Sequence, residues 1–154
     1  MQDKVLFRKA KIQEADRICR FQLAMALETE GLHLDGSTCL KGVNAVFEDP
    51  RKGFYFVAEI DEQTVASLLI IPEWSDWRNG QVWWIHSVYV EPQHRNKGIF
   101  AGLYRYIQDQ VRATENLRGL RLYVDRRNAG AQEVYRKLGM TNEHYELYEW
   151  MKTF

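Results

Sequence analysis

Cysteine is nearly absent from this chain, with two residues, and the three prolines, Pro50, Pro72 and Pro92, stand where elements are read to end. Two thiols, Cys19 and Cys39, build neither a disulfide framework nor a metal cluster, so no metal is expected. Both fall in segments that read as helical, and buried thiols in a reducing compartment follow. Charge of one sign is missing as well: 21 Lys and Arg balance 21 Asp and Glu. No overall field draws nucleic acid or an anionic membrane, so binding must come from a local site. No apolar run approaches the ~20 residues of a membrane helix. The start, MQDKVLFRKA, turns to charge at once and forms no signal h-region. These absences point to a soluble, cytoplasmic protein. What is present is 154 residues, the length of one domain, able to bury roughly two-thirds of its unfolded surface. Aromatic residues make up 13% and crowd between Trp74 and Trp84, as the lining of a cleft would.

The chain is organised around Trp84 to Tyr104, WIHSVYVEPQHRNKGIFAGLY. Its front half is β-branched and aromatic and reads as a buried strand ending at Val90. Pro92 removes a backbone donor and stops it. Arg95-Asn96-Lys97-Gly98 is a basic turn, and Ile99, Leu103, Ile107 and Val111 recur at helical spacing beyond it. A strand, a basic turn and a helix start aim backbone N–H groups and the positive helix end at one point, a natural seat for phosphate oxygens. The plainer reading is that Gly98 lets strand and helix pack closely.

Upstream, Val5 to Lys9 reads as a strand and Ile12 to Leu27 as a helix with Ala15, Ile18, Cys19, Leu23 and Ala26 on one face. Glu28 to Gly36 reads as an acidic loop, and Ser37 as the N-cap of a second helix that Asp49-Pro50 ends. Phe54–Ile60 and Thr64–Ile71 around Asp61-Glu62 outline a hairpin, with Pro72 to Gly80 as the following turn. Downstream, Leu120 to Val124 reads as a strand parallel to the organising one. Asn128 caps a helix that Gly139 ends, and Met140 to Lys152, with Tyr145, Tyr148 and Trp150, reads as one or two closing strands able to pair across a homodimer.

Two motifs, Arg95-x-x-Gly98-x and Asn128-x-x-Ala131-x-x-x-Tyr135-x-x-x-Gly139-Met140, occur in the order and spacing of the GNAT acetyltransferase superfamily, which the chain resembles from about Val82 to Met140. Phe100 departs from the pattern, standing where a small residue is usual. The resemblance implies an α/β domain: a mixed, mostly antiparallel sheet of about six or seven strands, helices on both faces, splayed between the fourth and fifth strands. It implies that acetyl-CoA is the cosubstrate and that the acetyl group moves directly to a small amine or a protein amino group. Val88 and Val90 would pair through their backbone with the pantetheine arm. Arg95, Asn96, Lys97, Gly98, Ile99, Phe100 and Ala101 would hold the diphosphate, with Phe100 turned into the sheet. Asn128 would bind the pantetheine region, and Tyr135 would return a proton to the leaving thiolate. In polyamine-acetylating relatives a glutamate lies four residues before the valine matching Val90; here that position is His86, which as neutral imidazole can act as the base. Glu28 and Glu30 are rivals for that role, substrate anchors, or solvated charges. Trp74 and Trp77, with Asp76, could clasp a cationic amine or form a rigid turn. A non-catalytic acyl-CoA-binding regulatory module is the alternative. A dinucleotide-binding domain is disfavoured, because the glycine fingerprint and its downstream acid are absent.

Overall fold

The computed structural model describes residues 4–152. The chain divides into two compact units, one ending at Leu122 and the other starting at Tyr123. The first holds β1 (Leu6–Lys9), a 3-10 turn (Ile12–Glu14), α1 (Ala15–Glu30), α2 (Gly36–Glu48), β2 (Phe54–Ile60), β3 (Gln63–Ser75), β4 (Gly80–Val90), a second 3-10 turn (Pro92–His94), α3 (Ile99–Ala113) and β5 (Leu117–Arg121). Its sheet runs β1-β2-β3-β4-β5, antiparallel except for the parallel β4–β5 pair.

Strand alternation explains the layering. Tyr55 and Val57 of β2 face α1 and α2, packing with Ala15, Ile18, Cys19 and Val43. Phe56 and Ala58 face the other way: Phe56 meets the Tyr106 ring of α3 at 5.8 Å, and Ala58 shares a cluster with Ile99. The β2–β3 hairpin turns on Asp61 and Glu62, both at positive φ (49° and 63°), which matches the twist of a two-residue reversal.

Several boundaries differ from expectation. Helix α1 runs on to Glu30, because Gly31 at φ 64° supplies the left-handed cap and its N–H returns to Ala26 and Leu27. Glu28 and Glu30 therefore lie on a helical turn, not in a loop. The N-cap of α2 is Asp35, not Ser37: its carboxylate accepts the Thr38 N–H at 2.8 Å and hydroxyl at 2.6 Å. Pro72 to Ser75 are strand, paired to Trp83, Val82, Gln81 and Gly80. The β2 pairing of β3 ends at Ile70, so beyond it β3 has one neighbour and the missing donor of Pro72 can face the unpaired side. Strand β5 starts earlier than expected and stops at Arg121, short of Val124. The sheet has five strands among the described residues, because 140–152 form none. Tyr145, Tyr148 and Trp150 fall at intervals of three and two, so no one strand face could collect them.

The second unit is built on α4 (Ala129–Lys137). Asn128 caps it, its side-chain oxygen accepting the Ala131 N–H at 3.1 Å. Gly139, at φ 87°, ends it, with Met140 N–H returning to Tyr135 at 3.0 Å. No described helix is long and apolar enough to cross a membrane.

Candidate active site

The site grows from an asymmetry in β4. Strand β3 accompanies it from Gly80 to Val90, whereas β5 pairs only with Gln81 to Trp84. From Ile85 onward β5 supplies no partner, which is the expected splay between the fourth and fifth strands. Just past that point β4 carries a bulge. His86 pairs with Leu69 and Tyr89 with Ser67, so Ser87 and Val88 together oppose the single residue Leu68. Ser87 takes φ 54°, a left-handed conformation that some bulges use and that costs a non-glycine residue roughly 1–2 kcal/mol. The strand bends where its second neighbour leaves. Sequence reasoning missed Ser87, and its only signal was a small polar residue beside His86 in a run of β-branched and aromatic residues.

At the end of β4, the Glu91 N–H donates to the Val65 carbonyl at 2.9 Å. Alternation then turns the N–H and C=O of Val90 away from β3. Beyond the Pro92–His94 turn, Arg95 to Gly98 are exposed, and Gly98 leads into α3 at φ 75° with nothing within 4 Å of where a Cβ would stand. Close packing therefore does not require this glycine; its backbone angle does. The open space beside it lies at the start of α3, the end of a helix where backbone N–H groups point outward. Ile99, not Phe100, enters the sheet core, clustered with Ala58, Ile60, Val65 and Ala66. The helix start aligns Ile99 with Leu103 and Ile107, all buried, and leaves Phe100 half-buried on the flank, its ring 6.3 Å from Tyr104.

Arg95 turns back. Its Nε donates to the Val90 carbonyl at 2.8 Å, an Nη donates to Glu28 at 2.8 Å, and the guanidinium lies 5.3 Å from the centre of the Tyr89 ring. The Tyr89 hydroxyl donates to the other Glu28 oxygen at 3.4 Å. Burial, with the Glu28 charge adding to it, pushes that phenol above its usual range.

His86 lies on the sheet face that carries α1 and α2, opposite Leu69 of that core. It is half-buried, its ring stacked 6.3 Å from Trp84 at an interplanar angle of 22°. Burial pushes its pKa down, so the neutral, proton-accepting form dominates at neutral pH. The Trp84 indole N–H donates to Glu73, which also lies 3.9 Å from Arg121. Glu73 was passed over in the sequence, although a carboxylate between Ile71 and Trp74 is its own signal.

The other expected acceptor residues are not gathered with these. Trp74 pairs with Gln81 at the hairpin end of β4 and is 59% exposed; Trp77 is 87% exposed in the turn. Glu28 meets Tyr89, roughly 25 Å further along the strand at ~3.3 Å per residue. Glu30 is exposed. In the second unit, the Asn128 side-chain oxygen is engaged as the helix cap, and burial pushes the Tyr135 phenol up, so it is protonated at neutral pH.

A splayed sheet, a bulged central strand and an exposed loop entering a helix make up this candidate site. The family model for the acetyltransferase (GNAT) family matches residues 20–140. The solved structure of a possible acetyltransferase from Clostridium difficile 630 is 41% identical, with a TM-score of 0.91 over 97% of this chain and 99% of that one. Two more distant structures share the fold. Glucosamine-6-phosphate N-acetyltransferase from Arabidopsis thaliana is 18% identical, with a TM-score of 0.70 over 97% of this chain and 100% of that one. An aminoglycoside N-acetyltransferase, AAC(6')-Iy, in complex with CoA is 13% identical, with a TM-score of 0.76 over 99% of this chain and 98% of that one. A search of the curated proteins found no match. The chain belongs to the GNAT acetyltransferase family. It is an N-acetyltransferase that uses acetyl-CoA as its cosubstrate.

Proposed function

We propose that the acceptor is a primary amine, on a small polyamine-like molecule or a protein, and that the acetyl group reaches it directly, without an acyl-enzyme. The observation that carries this is the second half of β4, which β5 does not accompany, bulged at Ser87 and leading into the exposed Gly98 turn. Acetyl-CoA supplies the activated thioester. Val88 and Val90 would align its amide-bearing arm as an added strand. The Arg95–Ala101 segment would bind the diphosphate through backbone N–H, and Asn128 would bind the arm with its remaining amide donors.

An alkylammonium with a pKa of about 10.4 is protonated at neutral pH and cannot attack until it loses a proton. His86, neutral and two residues past the last β5 partner, is the base this reading favours. A backbone N–H of the Val88 strand would meet the charge that gathers on the carbonyl oxygen. Tyr135 would protonate the leaving thiolate. Glu30, Trp74 and Trp77 remain acceptor contacts within this reading, with the two tryptophans serving a long or protein-borne acceptor. Both units work as one domain, and the support is that the family model runs through their boundary.

Calorimetry with CoA, followed by thiol release across a panel of amines, tests the proposal. Binding with amine-dependent thiol release supports it; binding with no thiol release for any amine points to the regulatory module instead. Gly98→Glu should abolish CoA binding, and Tyr135→Phe should lower turnover while leaving binding intact.

A further inference from the structure

We propose that Glu28 is a positioning residue for the diphosphate loop, acting through Arg95, so that the end of α1 sets the geometry in which the loop meets its ligand. This rests on the reading that the Arg95–Ala101 segment binds the diphosphate of CoA. By sequence, Arg95 belongs to the segment expected to hold the diphosphate, and Glu28 is a rival base, a substrate anchor or a solvated charge. The structure assigns them to each other. The Arg95 guanidinium is held on three sides, by the Val90 carbonyl, the Glu28 carboxylate and the Tyr89 ring. These contacts draw on donors that a bidentate phosphate contact would use. The bond to Val90 fixes the first loop residue to the last residue of β4, which closes the Glu91–His94 turn.

Glu28 gives that arrangement its anchor. It sits on the last turn of α1, and its two oxygens go to different groups, one to Arg95 and one to the Tyr89 hydroxyl. Tyr89 is 7% exposed and its ring lies 5.0 Å from Phe21 of the same helix. The carboxylate is thus referenced to the core and not to a mobile surface. A second tie joins the same helix to the same connection: Arg17 bridges Glu91 at 2.8 Å and donates to the Thr64 carbonyl at 2.6 Å. With α1 attached at both the start of the connection and the start of the loop, the amides from Gly98 onward are held before a ligand arrives. Preorganisation of this kind raises affinity without adding a contact to the ligand.

The two pair members are 40% and 41% exposed, so the expected effect is modest. Glu28→Ala should raise the Kd for CoA about three- to five-fold, the upper range of an exposed ion pair. Arg95→Gln, which also loses the bond to Val90, should raise it about ten-fold. The double variant should match Arg95→Gln alone, since Glu28 acts only through the arginine. Acetyl-pantetheine, which has the arm and thioester but no diphosphate, should bind Glu28→Ala as it binds the unmodified protein; a general loss of structure would weaken both ligands together.

Calorimetry with CoA and with acetyl-pantetheine on the unmodified protein and the three variants decides it. The proposal is overturned by an unchanged Kd for CoA in Glu28→Ala, by additive losses in the double variant, which would put Arg95 on the phosphate itself, or by parallel losses for both ligands. Failure of the unmodified protein to bind CoA would overturn the acetyl-transfer reading and this proposal with it. Normal binding there, with no effect at Glu28, sinks this proposal alone.

Discussion

The two halves of β4 are one continuous strand put to opposite uses. From Gln81 to Trp84 it has a neighbour on each side and its peptide groups are taken up by β3 and β5, and at Gly80, where this half begins, space is so short that an added Cβ would stand 2.7 Å from the Asn116 carbonyl. From Ile85 to Val90 it has β3 alone, carries a serine in a left-handed conformation, and lends a carbonyl to an arginine side chain. A paired peptide group has nothing left to offer a ligand, whereas one without a strand partner must find another group, and a linear amide-bearing molecule can be that group. On the proposed reading function begins where β5 stops, and His86 stands two residues past that boundary.

If this division is right, substitutions in the second half should disturb turnover, and those in the first half should disturb stability. The largest effect is expected at His86. His86→Ala should lower kcat/KM by about 10²- to 10⁴-fold, the usual worth of a positioned base. Burial depresses the imidazole pKa, so the rate of the unmodified enzyme should climb only on the acid side, below about pH 6.5, and lie flat through neutrality; the variant should lose that acid limb. The same depression gives a stability contribution that is present above about pH 6.5 and lost as pH falls through the folded-state value. A variant with the parent's activity and pH profile would move the base elsewhere and break the comparison.

Next in size is Trp83, in the first half, whose ring is 5.1 Å from Phe54 and 6.1 Å from Phe56. Trp83→Ala should cost about 3–5 kcal/mol in urea unfolding, with CoA affinity of the folded fraction unchanged. Gly80→Ala should cost about 1–3 kcal/mol by the same measurement, because backbone must move to admit the methyl group. Loss of CoA binding without loss of stability in either variant would erase the distinction between the halves.

Much of this was legible beforehand, for reasons that differ by element. The β4-to-α3 segment could be read because its signals are local: β-branched residues, then Pro92, then Gly98, then apolar residues four apart. The caps at Asn128 and Gly139 could be read for the same reason, as side-chain and backbone geometry within one turn. The end of α1 could not, since Glu28 to Gly36 looks like a loop until Gly31 is seen to close the helix with returning hydrogen bonds. The site's less obvious parts depend on pairing across sequence distance. The Ser87 bulge exists only relative to Leu68, and the Glu28–Arg95 pair joins residues 67 positions apart. Neither relation has a local signature, and the tail aromatics misled because composition resembled a strand where none forms among the described residues.

The smallest expected effect gives the sharpest comparison. Ser87 holds φ 54°, at a cost of roughly 1–2 kcal/mol to a residue with a Cβ. Ser87→Gly removes that strain but adds about 0.5–1 kcal/mol of unfolded-state freedom. The balance should leave stability unchanged or raised by up to about 1.5 kcal/mol, with kcat/KM kept, since the bulge persists. Ser87→Pro cannot reach a positive φ; it should straighten or break the strand at that point and remove activity. Were Ser87→Gly to lower stability by more than about 1 kcal/mol, the hydroxyl and not the backbone angle would be what the position supplies, and the bulge would need a side-chain explanation.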